Sequence, residues 1–346
     1  MMKYREQKII NFIEKLGQVS SQEIFSNVNI GVSYATLKRI LVKLVSENYI
    51  AVTGQGKSTK YMISPIYDVI RLIDIDEYYQ KEIDDRVIKQ EFNFSIINET
   101  LLNHNIFTDS ELIDLNLLQE NFKNNISELS ESNYKKEFER LAIDLSWKSS
   151  QIEGNTYSLL ETERLLKEKE TASGKTKEEA IMLLNHKEAL DFILNNSDYL
   201  HPLQISKIED IHSILTKDLS LARNLRRRRV GISGTNYRPL DNEFQIKEAL
   251  NQTCDLINAK DNVFEKSLLA LVLISYIQPF EDGNKRTARI VSNAILMNAG
   301  YCPLSFRTVD SIDYKKAMLL FYEQNNIYNF KKIFINQFEF AVKTYF

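Results

Sequence analysis

The sequence predicts a mainly α-helical protein with a small α+β domain at its N-terminus. Apolar residues recur with helical spacing over most of the 346-residue chain. The first 66 residues differ, because three helical stretches are followed by two β-like strands. A break at residues 226–240 contains Gly234, Asn236 and Pro239, a composition typical of a short hairpin. We therefore expect a helical body that carries one small hairpin.

The composition is that of a folded protein in a reducing compartment. Its 43% hydrophobic content supports a substantial core. Cys254 and Cys302 lie far apart without CxxC spacing, which favours a cytoplasmic location. The longest apolar run, residues 268–277, is about half of the length that a membrane-spanning helix needs. We expect it to be a buried core helix, and we expect no signal peptide and no membrane partner.

Charge is distributed unevenly along the chain, although the net charge is only −3. Residues 1–66 hold nine basic residues against four glutamates, a balance of +5 that leaves −8 for the rest. The basic residues are Lys3, Arg5, Lys8, Lys15, Lys38, Arg39, Lys43, Lys57 and Lys60. A basic domain therefore precedes an acidic body.

Each element of the N-terminal domain has a recognisable signal. An apolar stripe predicts a helix over residues 4–16. A short helix begins at "SSQEIF", where Ser20 or Ser21 can act as the cap, and Ser33 caps the longer helix "YATLKRILVKLVSENY". The inward-facing residues of that helix are Leu37, Ile40, Leu41, Leu44 and Val45. The strands "YIAVT" and "KYMIS" follow, joined by "GQGKST".

This order of elements, over residues 1–66, resembles a winged helix-turn-helix domain. Lys38, Arg39 and Lys43 lie on the outer face of the third helix, which has the width of a DNA major groove. Lys57 and Lys60 lie in the wing, where they can reach phosphates. Duplex DNA is therefore an expected partner. The alternative is that the same fold serves in homodimerisation or in docking another protein, with solvated lysines.

The remainder of the chain is predicted to be helical. Residues 67–145 have acidic and amide-rich faces and carry no sign of chemistry, so we expect a helical linker and scaffold. Residues 146–346 are expected to form the last domain. Helices are predicted over 136–150, 158–169, 176–195, 204–217, 244–258, 263–277 and 286–299.

The candidate site is the stretch "YIQPFEDGNKRTARI" at residues 276–290. An apolar helix ends before the turn "FEDGN", and a second helix follows it. The backbone N–H groups of a Gly-Asn turn at a helix N-terminus form a ready anion site. Arg286 and Arg289 share one face of that helix, and Asp282 is suited to holding Mg²⁺ beside a phosphate. The combination predicts a phosphate-binding turn.

The segment "QPFEDGNKRTAR" resembles the signature of the Fic-domain family, His-Pro-Phe-x-Asp/Glu-Gly-Asn-Gly/Lys-Arg-x-x-Arg. Every defined position matches except the first, where Gln278 replaces histidine. The similarity extends over roughly residues 90–346, and "SSQIEGN" matches the family's inhibitory motif as Ser149, Glu153 and Gly154. The resemblance implies an all-helical Fic domain with a short β-hairpin flap.

The resemblance also implies an activity, the transfer of AMP from ATP to a hydroxyl of a target protein. Asp282 would hold Mg²⁺, Arg286 would bind the phosphates of ATP, and Arg289 would clamp the γ-phosphate. Gly283, Asn284 and Lys285 would line the anion turn. A flap would pair with the target's backbone as an added strand. Its residues are Val230, Gly231, Ile232, Ser233, Gly234, Thr235 and Asn236.

Two features of this resemblance predict low activity. Ser149 and Glu153 lie four residues apart on one helical face, and a salt bridge from Glu153 to Arg289 would displace the γ-phosphate. Otherwise Glu153 would be an ordinary surface residue. Gln278 cannot take a proton from the acceptor hydroxyl, since a neutral amide has no useful basicity. A general base contributes about 10²–10⁴-fold, so a slow reaction could persist.

No other histidine is assigned as the base, because a lone helical histidine, such as His186 or His212, is more often structural. Arg226–Arg229 is interpreted as a solvated run beside the flap. Two functions therefore remain open. The protein is either a weak enzyme of the adenylyltransferase type or a catalytically silent, nucleotide-sensing DNA-binding regulator. The residue at position 278 favours the second.

Overall fold

A computed structural model of the protein describes residues 4–346, and Lys3 of the basic set lies outside them. The N-terminal domain contains the elements expected from the sequence, in the expected order. They are α1 (Tyr4–Leu16), α2 (Ser21–Asn27), α3 (Tyr34–Ser46), β1 (Ile50–Thr53) and β2 (Lys60–Ile63). The strands pair antiparallel, with Ile50 opposite Ile63 and Thr53 opposite Lys60.

Caps and apolar faces account for this domain. Ser20 caps α2 by accepting the backbone N–H of Glu23, whose carboxylate accepts the Ser20 N–H at 2.7 Å in return. Ser33 caps α3 by accepting the Thr36 N–H at 3.2 Å. The domain has a small hydrophobic core of its own. Its fully buried members are Ile9, Ile10, Ile13, Ile24, Leu37, Leu41 and Leu44.

Twelve further helices follow among the described residues, which confirms the mainly helical fold class. They are α4 (Tyr67–Ile70), α5 (Ile75–Tyr78), α6 (Asp109–Glu128), α7 (Glu131–Ile152), α8 (Leu159–Glu168), α9 (Lys177–Asn195), α10 (Ile205–Leu215), α11 (Glu243–Ala259), α12 (Val263–Ile277), α13 (Asn284–Asn298), α14 (Ser311–Gln324) and α15 (Tyr328–Tyr345). One large core contains residues from α6 and α7 as well as from α12 and α13. The helix α7 continues through residues 145 and 146, between which the sequence analysis placed a domain boundary.

The centre of this core is α12, which packs mainly against α13. Thirteen of its fifteen residues are buried, so the run at 268–277 is a buried core helix, as its length predicts. Among residues 4–346, no helix combines the length and the apolar character that crossing a membrane requires.

The connector between the two parts of the chain, residues 64–101, is less helical than its sequence suggests. It contains α4, α5, a 3₁₀ turn at Ile83–Asp85 and a π-helical turn at Ile96–Leu101. Parts of its backbone bond to the junction of α14 and α15 instead of to a helix of its own. The Ile327 N–H donates to Val69 O at 2.7 Å, and the Lys89 N–H donates to Glu323 O at 2.8 Å.

The predicted flap, residues 230–236, is a loop that turns at Ser233–Gly234 rather than a paired hairpin. The pair β1 and β2 is the one sheet among the described residues. The ends of the flap segment bond to other parts of the protein instead of to each other. The Arg226 N–H donates to Pro279 O at 2.9 Å, and the Arg238 N–H donates to Gln90 O at 2.7 Å.

Arg226 corrects the interpretation of Arg226–Arg229 as a solvated run. Its side chain is buried, and Nε donates to Gln278 O at 2.6 Å, at the end of α12. A cationic donor is favourable there because the last carbonyls of a helix lack intrahelical partners. Arg227 and Arg229 are exposed and pair with acidic residues at 2.7 Å, as solvated side chains do.

Candidate functional site

The site is built around the turn that connects α12 to α13. Gln278 ends α12 with a left-handed backbone (φ 52°), and Gly283 precedes α13 with φ 79°. A side chain at position 283 would be strained by that angle, and its Cβ would also lie 3.4 Å from His212. The turn therefore depends on glycine at this position.

Asn284 holds the turn together from within. Its Oδ1 accepts the Phe280 N–H at 2.8 Å, and its Nδ2 donates to Phe280 O at 2.8 Å and to Gln278 Oε1 at 3.1 Å. Phe280 is fully buried, as expected of an anchor. Asn284 is itself buried, so its side chain braces the turn while the backbone remains available to line the cavity.

His212, from α10, packs against the same turn. Its ring stacks on Phe280 with centroids 3.7 Å apart, and Nε2 lies 3.0 Å from Asp282 O. Burial lowers the pKa of His212 to about 4, although the hydrogen bond to Asp282 opposes that shift. The ring is therefore neutral at pH 7, and a neutral ring protonated at Nε2 donates to the carbonyl. The sequence analysis missed this role because α10 precedes the motif by some 70 residues.

Arg286 is the clearest sign of an anion ligand. Its side chain is only 1% exposed, and Nη2 lies 3.1 Å from Asp282 Oδ2. Its Nε and Nη1 atoms are buried and have no hydrogen-bond partner among residues 4–346. Burial lowers the pKa of Arg286, although the charge of Asp282 opposes the effect. A buried cation whose N–H donors lack acceptors destabilises the folded protein unless an anion binds to it.

Arg289 lies one turn further along α13, and two of its three nitrogens already have partners, whereas Nη1 has none among residues 4–346. Nε donates to Ser149 Oγ at 2.8 Å, Nη2 donates to Ser149 O at 3.0 Å, and Nη2 also donates to Glu153 Oε1 at 2.8 Å. The guanidinium also lies 5.4 Å from the centre of the Tyr314 ring. Ser149 and Glu153 thus reach the same arginine from one face of α7.

Glu153 is the residue that follows the last turn of α7. Its second oxygen lies 3.8 Å from Lys285 Nζ. Burial acts to raise the pKa of Glu153, but the charges of Arg289 and Lys285 outweigh it, and the net shift is downward. The carboxylate is therefore ionised at neutral pH. Gly154, with φ 101°, then turns the chain away from the site.

The turn after Glu153 is fixed by Glu179 of α9. One carboxylate oxygen accepts both the N–H and the hydroxyl of Thr156 at 2.7 Å, and the other accepts the Thr176 N–H at 3.0 Å. These hydrogen bonds, first that from the Thr156 hydroxyl, lower the pKa of Glu179 to about 2. These hydrogen bonds fix Thr156, three residues beyond Glu153, to Glu179.

A cavity of about 350 Å³ opens above the turn. The predicted site residues that line it are Glu153, Val230, Gly231, Ile232, Ser233, Gln278, Asp282, Gly283, Asn284, Lys285 and Arg286. Ser149, Gly154, Arg289, Gly234, Thr235 and Asn236 lie outside that lining. The sequence analysis missed the wall that α14 contributes. It consists of Tyr314, Lys315, Met318, Leu319 and Tyr322.

The side chain of Gln278 is engaged within the protein. Its Nε2 donates to Ser275 O, and its Oε1 accepts from Asn284. The nearby Tyr322 hydroxyl, 3.5 Å from Nε2, has a pKa raised well above its ordinary value because it is buried. Neither group titrates near neutral pH, so neither supplies a general base there.

Asp282 is the residue predicted to hold Mg²⁺. Its side chain is 64% exposed and borders the cavity. The described residues contain no group of three or more His, Cys, Asp or Glu side chains that could hold a metal. A single carboxylate can hold Mg²⁺ when the ion takes its remaining ligands from phosphate oxygens and water. The unused donors of the neighbouring Arg286 would bind those phosphates.

The basic residues of the N-terminal domain are not equivalent. Arg39, Lys57 and Lys60 are exposed and form no ion pair with any residue of the described range. Lys43 is paired with Glu6 at 2.8 Å and with Glu47 at 3.4 Å. Lys38 is half-buried, and its Nζ lies 5.8 Å from the ring centres of Tyr34 and Tyr61.

Part of the chain matches a known protein family. Residues 202–296 match the model of the Fic/DOC family. A relative described as protein adenylyltransferase Fic, from Nematostella vectensis, is 34% identical over 173 residues. The match covers 48% of this chain and 40% of that relative. The chain thus spans less than half the length of this relative.

Two solved structures share the fold. Fic-1 from C. elegans superposes with a TM-score of 0.58 at 22% identity, over 68% of this chain and 71% of that one. A Fic domain containing signaling protein from Bacteroides thetaiotaomicron superposes with a TM-score of 0.57 at 21% identity, over 66% of this chain and 94% of that one. At these identities the likeness concerns the fold alone.

Proposed function

Because this chain carries a Fic/DOC family domain, we propose that it binds ATP at the turn before α13 and belongs to the AMP-transferring type. The observation that carries the proposal is Arg286, a buried cation at the cavity with two donors that no described residue uses. Phosphate oxygens would accept charge-assisted hydrogen bonds from these donors. The N-terminal end of α13 adds backbone N–H groups and its partial positive charge.

Asp282 would hold Mg²⁺ together with the phosphates, and the ion would neutralise part of their charge. Arg289 would meet the terminal phosphate, as the family resemblance implies. In this structure that arginine is occupied by Glu153. A triphosphate entering the cavity would therefore meet a carboxylate where its last phosphate should lie. Nucleotide binding would be retained through Arg286, but the reacting phosphate would be misaligned.

AMP transfer needs an acceptor hydroxyl that loses its proton as its oxygen attacks the α-phosphorus of ATP, while the bond to the bridging oxygen breaks and pyrophosphate leaves. Gln278 cannot accept that proton, and its amide is already held by Ser275 and Asn284. His212 is poorly placed to substitute, because it lies beneath the turn and bonds to Asp282 O. We expect AMP transfer by the wild-type protein to be very slow for two reasons. Glu153 would misalign the nucleotide, and Gln278 supplies no base.

The flap supports a protein acceptor. The backbone of Val230–Ser233 forms no hydrogen bond with any other described residue, and these residues line the cavity. Free N–H and C=O groups in an extended segment can pair with the backbone of a target. We propose that the flap receives the target in this way.

Calorimetry with Mg-ATP and a labelled-nucleotide transfer assay test the proposal together. Wild type should bind Mg-ATP and transfer almost no AMP. Absence of measurable binding of Mg-ATP to wild type and to Glu153→Gly would overturn it, since the second variant lacks the competing carboxylate.

A second function, a nucleotide-sensing DNA-binding regulator, is favoured by the N-terminal domain. Arg39 is exposed on α3, and Lys57 and Lys60 are exposed at the hairpin. Three unpaired cations on neighbouring elements suit the phosphates of a duplex. Binding to duplex fragments at about 50 mM salt, where phosphate contacts are strong, is the test, and its absence would remove this function.

A further inference from the structure

The C-terminal half of the flap is held by the connector. Three hydrogen bonds join them. They run from Arg86 Nη2 to Gly234 O (2.9 Å), from Asn236 Nδ2 to Asp84 Oδ1 (2.9 Å) and from the Arg238 N–H to Gln90 O (2.7 Å). The cavity-lining half, Val230–Ser233, has no comparable backbone bonds among the described residues. Residues 84–90 therefore help to hold the flap in place.

Arg86 is the central residue of this contact. Its side chain is only 3% exposed, and Nη1 lies 3.3 Å from the carboxylate of Glu323, which is 1% exposed near the end of α14. The guanidinium also lies 5.1 Å from the centre of the Tyr79 ring. Because the planar guanidinium carries donors on two separate nitrogens, it binds α14 and the flap at once.

These two partners both line the cavity. α14 contributes Tyr314, Met318 and Tyr322, and the flap contributes Val230–Ser233. We propose that Arg86 is a positioning residue that fixes the flap relative to α14 and thereby sets the entrance through which an acceptor reaches the nucleotide. This inference rests on the proposed function for the identity of the acceptor, but not for the position of the flap.

A purely structural role would look different. If Arg86 only neutralised the buried carboxylate of Glu323, any cation of similar length would serve. The Arg86→Lys variant would keep the ion pair, but its single ammonium would favour the carboxylate and release Gly234 O. This variant therefore separates the two roles, and Arg86→Gln removes both interactions.

The test is hydrogen–deuterium exchange of the full chain, read on peptides that report the amides of Tyr237 and Arg238, which are bonded to Thr235 Oγ1 and to Gln90 O. Both Arg86 variants should exchange several-fold faster there than wild type, while Arg86→Lys keeps a melting temperature near that of wild type. Arg71→Lys is the matched control, since Arg71 lies in the same connector and pairs with the exposed Asp68 at 3.2 Å. Wild-type exchange of the flap in a folded Arg86→Lys protein would overturn the proposal.

A second measurement tests the link to the acceptor. In a Glu153→Gly, Gln278→His background, adding Arg86→Lys should lower AMP transfer several-fold and leave the Kd of Mg-ATP unchanged. Unchanged transfer despite faster flap exchange would overturn the entrance role. If that background transfers no AMP at all, the proposed function fails, while the exchange measurement still decides the role of Arg86.

Discussion

Glu153 Oε1 lies 2.8 Å from Arg289 Nη2, and this arginine is completely buried. The carboxylate comes from the end of α7, whereas the arginine comes from the helix that follows the phosphate-binding turn. A phosphate that approaches Arg289 must either displace the Glu153 carboxylate or lie beside it, where the two negative charges repel each other. Arg286 lies one turn earlier and retains two donor atoms without a partner among residues 4–346, so under the proposed function the binding of a nucleotide and its correct alignment would be separate events.

Arg286→Ala should weaken Mg-ATP binding by about 1.5–3 kcal/mol, the usual value of a hydrogen bond to a charged group. The reason is that its two unused donors would meet phosphate oxygens. Calorimetry measures the change. Arg164→Ala is the control, since that arginine is exposed on α8 and pairs only with neighbouring glutamates. Equal affinities of wild type and Arg286→Ala would remove Arg286 from the site.

His212 should make the protein less stable in acid. Its pKa is about 4 in the folded protein against an ordinary value of 6.5, so the unfolded chain binds the extra proton between these pH values. The neutral His212 side chain therefore makes its full contribution to the free energy of unfolding above pH 6.5, and that contribution is lost as the pH falls towards 4.

His212→Gln tests this, because glutamine can still donate to Asp282 O but does not titrate. Urea unfolding at a series of pH values from 7 to 4 should show a shallower loss of stability in the variant. The difference can reach about 1.4 kcal/mol per pH unit, the value for one proton. Identical pH dependence in the two proteins would contradict the assigned pKa shift. His186, buried with a lowered pKa, contributes in the same direction in both proteins.

DNA binding by the N-terminal domain should depend on Arg39, Lys57 and Lys60 more than on Lys43. Each phosphate contact steepens the fall of log affinity with log salt by about 0.9. Lys57→Ala with Lys60→Ala should therefore flatten the slope, measured by fluorescence anisotropy on a labelled duplex. Lys43→Ala is the matched control, since its ammonium is already bound by Glu6 and Glu47. A larger effect of Lys43→Ala would show that this ion pair opens on DNA.

Local features of the sequence predicted much of this structure. Ser20 and Ser33 cap the helices where their spacing indicates, and the signature at 276–290 predicted a turn between two helices. The contact of Glu153 with Arg289 was also expected, because the resemblance to the Fic-domain family implies this salt bridge.

Other contacts could not be predicted, because they join residues far apart in sequence. His212 reaches the turn from α10, and Arg226 reaches the end of α12 from the start of the flap segment. The sequence analysis predicted no helix beyond residue 299, so Tyr314 and Tyr322 were not expected at the cavity, to which the packing of α14 brings them. The flap was expected to pair with itself, but its backbone bonds to the connector instead.

The last prediction concerns Glu153 and Gln278, the two features that we expect to keep AMP transfer low, and each can be replaced separately. Glu153 lies at the end of α7, where Gly154 already turns the chain, so glycine at 153 is tolerable. Gln278 has φ 52°, a left-handed angle that histidine adopts more readily than most residues. Histidine at 278 should therefore fit with the backbone unchanged.

Glu153→Gly alone should align the phosphates and yield little turnover, because the acceptor proton still has no base. Gln278→His alone should also yield little, because Arg289 remains bound to Glu153. The double variant should transfer AMP by far more than the product of the two single gains, as groups that act together do. Self-modification with labelled ATP measures all four proteins without knowledge of the target. Strong activity of Glu153→Gly alone would mean that another group takes the proton, and Glu281, which also lines the cavity, would then be the first residue to replace.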